Sequence, residues 1–406
     1  MTVTTANFPT EREARLPIAA LLALAMSGFI CIVTETLPAG LLPQIGNGLG
    51  VSQALAGQTV TAYAVGSLLA AIPLTIATSS WRRRNVLLLT LAGFLVFNMV
   101  TAVSNNYWLT LTSRFFAGVA AGLAWSLLAG YARRMVSPDQ QGKAMAIAMV
   151  GTPIALSLGV PIGTWLGTAV GWRAAFWIMS ALTIVLVFWV IAKVPDYPGI
   201  KRSGRIPLTK VLRTPGVLSV LAVVIMWMLA HNILYTYIAP FVAPAGLSNR
   251  VDLVLLVFGI TALAGIGVTG KLVDRALRKT VLASLLVFTM IALAFALLSA
   301  SPTLEFTGVA IWGLTFGGAA TLLQTALADT AGDGADVALS MNVVAWNSAV
   351  AGGGIVGGIL LNTYGVSSFS WAVVLLLVMG LILAWRARSR GFPAGHRTSG
   401  TKIAGH

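Results

Sequence analysis

Long apolar stretches follow one another along the chain, separated by short polar breaks. A membrane-crossing helix needs about 20 mostly apolar residues. This criterion predicts spans at 16–42, 53–77, 85–103, 108–131, 144–169, 174–193, 216–243, 253–272, 280–299, 303–328, 337–361 and 367–386. The first run is too long for a signal-peptide core and lacks a clear cleavage site. Further spans follow it at once, so it is expected to be retained as a helix.

The polar breaks carry the charge and set the expected topology. With the N-terminus in the cytoplasm, the inside segments hold Arg12, Arg15, Arg82, Arg83, Arg84, Arg133, Arg134 and Lys143. They also hold the run from Lys193 to Arg213, then Lys271, Arg275, Arg278 and Lys279, and the tail from Arg386 to Lys402. The outside loops keep only Arg173 and Arg250. Lysine and arginine favour the cytoplasmic side, which predicts both termini inside. Asp329, Asp333 and Asp336 dissent, in an inside segment that holds no Lys or Arg, but acidic residues weigh little in this rule.

The stretch 194–215 combines Pro195, Pro198, Gly199, Gly204, Pro207 and Pro215 with basic residues, and reads as a linker. It divides the chain into residues 1–193 and 216–406, six spans each. An offset of 195 residues links Arg83-Arg84 to Arg278-Lys279, Gly118 and Gly122 to Gly313 and Gly317, and Gly159 and Gly163 to Gly354 and Gly358. Two related six-helix halves around a midplane site are a transporter design, although a single-chain channel could also duplicate.

Composition narrows the class. Hydrophobic residues make up 57% of the 406 and charged residues 9%, against about 25% charged in ordinary globular domains. The mean hydropathy is +0.89. Lipid is therefore the expected solvent for the surface. The net charge of +15 lies in short loops beside spans, with no soluble basic domain, so no nucleic-acid partner is expected. A single cysteine, Cys31, excludes a disulfide or zinc framework within the chain. No phosphate-cradling G-x-x-x-x-G-K-[ST] loop, metal cluster or nucleophile elbow occurs; no enzyme, cofactor or metal is expected.

Small residues recur every four positions in the fifth span, at Gly151, Ala155, Gly159, Gly163 and Gly167, and in the eleventh, at Ala345, Ala349, Gly353 and Gly357. Such faces let helix backbones approach closely. They serve either plain packing or a smooth surface on which two halves rock. Pro153 and Pro161 should bend the fifth span.

The candidate chemistry is sparse. Glu35 is the acidic residue placed clearly within a span, and Arg114 the basic one. A charge at the bilayer centre costs about 2.5–3.5 kcal/mol on insertion scales, so it usually faces a cavity and has a function. The plainer alternatives are a wetted Glu35 near the helix end and an Arg114 that snorkels outward. Gly118, Gly122 and Trp125 continue the face of Arg114 at helical spacing, which could bring the guanidinium to a cleft. A carboxylate beside an arginine in such a cleft can bind and release a proton as the cavity opens to each side. His231 is either a packing residue or a second proton carrier or substrate contact. Tyr63, Trp125, Tyr235, Gln324, Asn342, Trp346 and Asn347 are candidates for a cavity holding a flat heterocycle. Interface belts use Trp and Tyr as well.

Together these residues resemble the major facilitator superfamily, in its drug:proton antiporter branch, over essentially the whole chain. Gly270-Lys271-Leu272-Val273-Asp274-Arg275 matches the family's G-x-L-x-D-R loop. The first-half copy is degraded, with Thr75, Ser79 and Ser80 where Gly, Asp and Arg are expected, so an asymmetric inside charge lock is expected. Arg114, Gly118 and Gly122 match the fourth-span motif. Gly159-Val160-Pro161-Ile162-Gly163 matches the antiporter motif of the fifth, followed by Gly171-Trp172-Arg173. Thr34-Glu35 with Leu37-Pro38 and Gly40 to Pro43 resembles the first span of sugar, purine and nucleoside exporters. Tyr235 to Pro240 is similar to their seventh.

The resemblance is nearest to purine ribonucleoside efflux pumps. It implies an all-α fold of twelve helices in two pseudo-symmetric six-helix bundles, in a bacterial inner membrane. It also implies proton-coupled antiport of a small organic solute by a monomer. A drug or sugar exporter and a proton-coupled importer remain alternatives.

Overall fold

The computed structural model describes residues 16–137, 140–199 and 207–393. Arg12, Arg15, the middle of the 194–215 segment, the Asp336 side chain, and the tail with His396, Lys402 and His406 lie outside the described residues.

Among the described residues, eleven helices are long and apolar enough to cross a membrane. They are α1 (Ile18–Gly40), α2 (Gln53–Ala77), α3 (Arg83–Val103), α4 (Tyr107–Arg134), α5 (Gln141–Val170), α6 (Trp172–Lys193), α7 (Val217–Thr236), α8 (Val251–Leu297), α9 (Pro302–Gly334), α10 (Val337–Thr363) and α11 (Ser367–Arg386). They build an all-α, multi-spanning bundle. Large apolar side chains such as Leu69, Trp108, Trp165, Phe188 and Trp385 face outward, where lipid rather than water is the fitting solvent.

The count is eleven because the expected eighth and ninth spans run on as one 47-residue helix, α8. At about 1.5 Å per residue it is roughly 70 Å long, more than twice a bilayer's hydrocarbon core. A single non-helical residue, Ala276, with φ −150° and ψ 36°, breaks it. The motif Gly270 to Arg275, expected in a loop, therefore forms the last helical turns before the break. Leu, Arg and Lys are good helix formers and no proline follows Gly270, so the connection shrinks to one residue.

Helix starts follow the capping rules. The side chains of Ser52, Asn106 and Ser301 accept hydrogen bonds from the main-chain N–H groups of Leu55, Leu109 and Leu304, at 3.2, 3.0 and 3.3 Å. Gly171, with φ +97°, turns α5 directly into α6. Within α5 the helix widens into a π turn at Ala155–Gly159, between Pro153 and Pro161. Proline has no N–H to give, so the regular ladder cannot run through this stretch. The Ser157 hydroxyl donates to the Pro153 carbonyl at 2.7 Å.

The small-residue faces are packing surfaces between neighbouring helices. Gly151, Gly159, Gly163 and Gly167 lie against Ala25, Phe29, Val33 and Leu37 of α1 and Leu41 just past it. Gly353 and Gly357 lie against Asn232, Ile233 and Tyr237 of α7 and its extension. Gly354 and Gly358 face the other way, onto Thr61, Gln58 and Ala54 of α2. The offset of 195 residues survives in the contacts of the fourth and ninth helices. Gly118 and Gly122 abut the main-chain carbonyls of Tyr63 and Ser67, while Gly313 and Gly317 abut those of Phe258 and Ala262.

Helices before residue 194 meet those after 216 at the end of the bundle opposite the arginine-rich loops. There Gln58 Nε2 donates to Tyr237 Oη and to the Gly354 carbonyl, at 3.1 and 3.0 Å. Tyr237 Oη also lies 2.8 Å from that carbonyl. Nearer the middle, Gly259 of α8 packs on Leu156 and Ser157 in the π turn.

The arginine-rich end is tied down differently. Asp196, just past α6, pairs with Arg82 and accepts from the Arg84 main-chain N–H at 3.2 Å. The Tyr131 hydroxyl donates to the Pro195 carbonyl at 2.7 Å, and Arg134 donates to Pro198 at 3.0 Å. The loop at Ser79-Ser80 lacks an acidic residue of its own, and Asp196 brings a carboxylate to it from the start of the 194–215 segment. The matching arginine of the later helices, Arg278, donates to the Ala384, Trp385 and Phe392 carbonyls at 2.8–3.0 Å.

Candidate functional site

Glu35 lies near the end of α1, half-buried. Its neighbour Thr34 is fully buried and accepts from the Asn98 amide at 3.1 Å. Arg114, from the first third of α4, is completely buried. Its guanidinium donates to the main-chain carbonyls of Glu35, at 3.3 Å, and Thr59, at 3.4 Å. It also lies over the rings of Tyr63, at 4.9 Å, and Phe176, at 5.7 Å, a favourable placement for a cation. Nη1 has no hydrogen-bond partner among the described residues. Tyr63 is itself fully buried, its hydroxyl donating to the Cys31 carbonyl at 2.9 Å.

Arg114 does not snorkel, and the face it shares with Gly118 and Gly122 does not border an open cleft. Those glycines let the α2 backbone close against α4, and this approach seals the guanidinium in. Trp125 continues the row as a half-buried ring above Gly28 of α1, 3.6 Å from where a Cβ would stand. The Glu35 carboxylate stays in electrostatic reach of Arg114, Tyr63 and Tyr235. No side-chain hydrogen bond holds that carboxylate among the described residues, so a proton on it displaces no partner.

Across from this charged group lies an aromatic one. His231 of α7 is nearly buried and stacks on Phe316 with ring centres 3.6 Å apart and planes 3° from parallel. Tyr235, Trp312 and Phe258 stand 5.1, 5.3 and 5.6 Å from the same imidazole. His231 Nδ1 and Trp312 Nε1 are buried without hydrogen-bond partners. The Tyr235 hydroxyl faces Thr36 without hydrogen-bond geometry.

The other expected cavity residues scatter. Asn342 is buried with its Oδ1 unpartnered. Trp346 and Asn347 are half-buried, and the Asn347 amide bonds back to the Val343 carbonyl at 2.9 Å. Gln324 is exposed. Gly270, Asp274 and Arg275 are exposed on the turns before the Ala276 break. Pro161 is buried in α5 beside Gly159 and Gly163.

Residue patterns missed one carboxylate. Glu305 sits in the first turn of α9, 3% exposed, with Oε2 unpartnered. Its signal was Ser301-Pro302, a cap followed by a proline, which starts the helix and draws Glu305 inside it. Phe258, Trp312 and Phe316 carried no such signal, because one aromatic among many apolar residues is unmarked.

Among the described residues, a multi-pass helical bundle with a buried arginine beside a carboxylate fits a membrane transporter. The chain belongs to the Major Facilitator Superfamily, whose family model matches residues 24–353. It is 30% identical over 354 residues to purine ribonucleoside efflux pump NepI of Shigella sonnei (strain Ss046), covering 86% of this chain and 89% of that protein. The pump of the same name from Escherichia coli (strain K12) is 28% identical over 363 residues, covering 88% and 91%. The fold is also similar to the crystal structure of a bacterial homolog of the human lysosomal transporter Spinster, in an inward-facing and unoccupied conformation. That match has a TM-score of 0.72 at 14% identity and covers 94% of this chain and 100% of the other.

Proposed function

We propose that this transporter exports purine ribonucleosides, or close chemical relatives, across the inner membrane in exchange for protons. The observation that carries the reading is the fully buried Arg114 beside a half-buried Glu35 whose carboxylate has no fixed partner. The likeness to NepI over most of both chains supplies the solute class. Glu35 is the proton carrier, and Arg114 holds the α1 and α2 backbones around it. His231, Tyr235, Tyr63, Trp125, Asn342, Trp346, Asn347 and Gln324 are the candidates to border the solute's path.

In this reading α8 crosses twice, turning at Ala276, which gives twelve crossings. Residues 1–193 and 216–406 are two six-helix bundles joined by 194–215. The paired glycine contacts of α4 and α9 support that symmetry. The arginine-rich loops and both termini are cytoplasmic, and the transporter works as a monomer. The Gln58, Tyr237 and Gly354 cluster then closes the outer side. The segments at Gly159-Pro161-Gly163 and at Gly270, Asp274 and Arg275 adjust as the bundles rock.

The test is flux in inside-out vesicles with an imposed pH gradient, screening labelled inosine, free purine bases, sugars and cationic drugs. Uptake of inosine that collapses with a protonophore is the expected result. Gradient-driven uptake of another class alone would overturn the solute assignment. Flux indifferent to the gradient would overturn the coupling.

A further inference from the structure

We propose that the aromatic cluster of His231, Tyr235, Phe258, Trp312 and Phe316 is a stacking site for the purine base itself, with the His231 imidazole holding the base's place on Phe316 when the site is empty. This rests on the efflux reading above and assigns it a site.

The argument starts from the ring geometry. Aromatic pairs prefer offset or edge-on arrangements over a face-to-face sandwich. The His231–Phe316 pair is face to face, with 3.6 Å between ring centres. No hydrogen bond fixes either imidazole nitrogen among the described residues, and Nδ1 is buried and unpartnered. Trp312 adds a fully buried indole N–H with no acceptor. Buried polar groups are nearly always satisfied, so three orphans within one aromatic cluster, the Tyr235 hydroxyl being the third, point to an absent partner.

The required partner has a flat π face and hydrogen-bonding atoms around its rim. A purine base has both, and a 6-oxopurine carries the acceptors O6 and N7 side by side. A sugar has no π face. Rotation of His231 about its side-chain bonds frees the Phe316 ring and lets Nδ1 meet the edge of the incoming base. The site also sits next to the coupling group, since Tyr235 belongs to the cluster and lies in electrostatic reach of Glu35.

The test is equilibrium binding of labelled inosine to the purified full-length protein in lipid nanodiscs, competed by hypoxanthine and by ribose. Hypoxanthine should displace inosine and ribose should not. Phe316→Leu should weaken inosine about tenfold, the scale of one base–aromatic stack, while Phe316→Tyr stays within about threefold. Unchanged affinity in Phe316→Leu, or equal loss in both variants, would overturn the stacking site while leaving purine efflux standing. Wild-type protein that binds neither inosine nor hypoxanthine would overturn the solute assignment and this site with it. If Phe316→Leu does not survive purification, Trp312→Phe decides. It keeps a ring and deletes the N–H, so hypoxanthine should weaken about fivefold; unchanged affinity would overturn the proposal.

Discussion

Arg114 grips Glu35 by its main chain, not by its carboxylate. The guanidinium donates to the Glu35 carbonyl at 3.3 Å and reaches the Thr59 carbonyl on α2. The arginine's hydrogen bonds therefore do not use the carboxylate next to it. Glu35→Gln should fold normally, with stability changed by less than about 0.5–1 kcal/mol. Passive exchange of solute should continue, while gradient-driven efflux is lost, because the amide cannot carry a proton. Uphill flux with an unchanged pH profile in this variant would move the coupling group elsewhere, with Glu305 and His231 the next to test.

Arg114→Lys should behave in the opposite way. A lysine has one compact charge and cannot span two carbonyls as the planar fork does. Each charge-assisted hydrogen bond contributes about 1.5–3 kcal/mol, so the loss of one should lower the thermal midpoint measurably. Glu35→Gln and Arg114→Lys thus separate coupling from architecture. Equal thermal midpoints for the two variants would count against the main-chain role.

The outer cluster makes a conformational prediction. Tyr237→Phe deletes the hydroxyl shared by Gln58 and the Gly354 carbonyl. Net hydrogen-bond contributions of about 0.5–1.5 kcal/mol each, together about 1–3 kcal/mol, imply a shift of roughly 5- to 150-fold toward an outward-open state. Spin labels at Ser52, just before α2, and Asn362, near the end of α10, which line one cleft between those helices, should report a longer distance. Cys31 is buried and does not compete for the label. An unchanged distance distribution would show that the helices, not this cluster, hold the end closed.

At the opposite end, Asp196 holds Arg82 and the start of α3. Partial burial opposes ionisation of Asp196, but the bonds from Arg82 and Arg84 outweigh it and hold its carboxyl below the usual range. A lowered carboxylate stabilises above its ordinary value and loses the contribution only as pH falls through the lowered one. The tie should therefore be constant between about pH 6 and 8. Arg82 is exposed, so the pair is worth at most about 1 kcal/mol. Asp196→Asn should raise labelling of a cysteine placed at Ser80 by the same factor at both ends of that pH range, each rate taken relative to the same cysteine with Asp196 intact at that pH, because the thiol itself ionises more as pH rises. A pH-dependent difference would mean that another group titrates there.

Much of this organisation is visible in residue patterns, for physical reasons. Lipid demands unbroken apolar runs, so the helices stand out, and arginine in loops marks one face of the membrane. A charge within a span is costly enough to be conspicuous, which singled out Glu35 and Arg114. Patterns cannot say which face of a helix meets which neighbour. Gly159 and Gly354 share the 195-residue offset, yet one packs on α1 and the other on α2. Asp196 lies in a proline-rich connection and becomes a partner of Arg82 only in three dimensions. The aromatic cluster draws on three helices, and each member alone is an ordinary apolar residue.

The close approach of α2 to α4 gives the last prediction. At Gly118 an added Cβ would run into the main-chain carbonyl of Tyr63. A backbone atom cannot swing aside like a side-chain tip, so α2 and α4 would have to part. Overpacking of this kind typically costs about 1–3 kcal/mol. The displacement would fall on Tyr63 and on the Arg114 seat beside it, so Gly118→Ala should lose both stability and flux. Gly130, about three turns further along the same helix, has nothing within 4 Å of its would-be Cβ. There alanine gains about 0.8–1 kcal/mol of helix propensity and should stabilise slightly. Gly313→Ala should repeat the Gly118 effect against Phe258 and Thr261, weakening inosine binding while leaving the Glu35 region intact. Thermal unfolding of the three variants, followed by size-exclusion fluorescence, checks the order. If Gly118→Ala proved as stable as Gly130→Ala, the close approach of α2 to α4 would be wrong, and the sealed position of Arg114 with it.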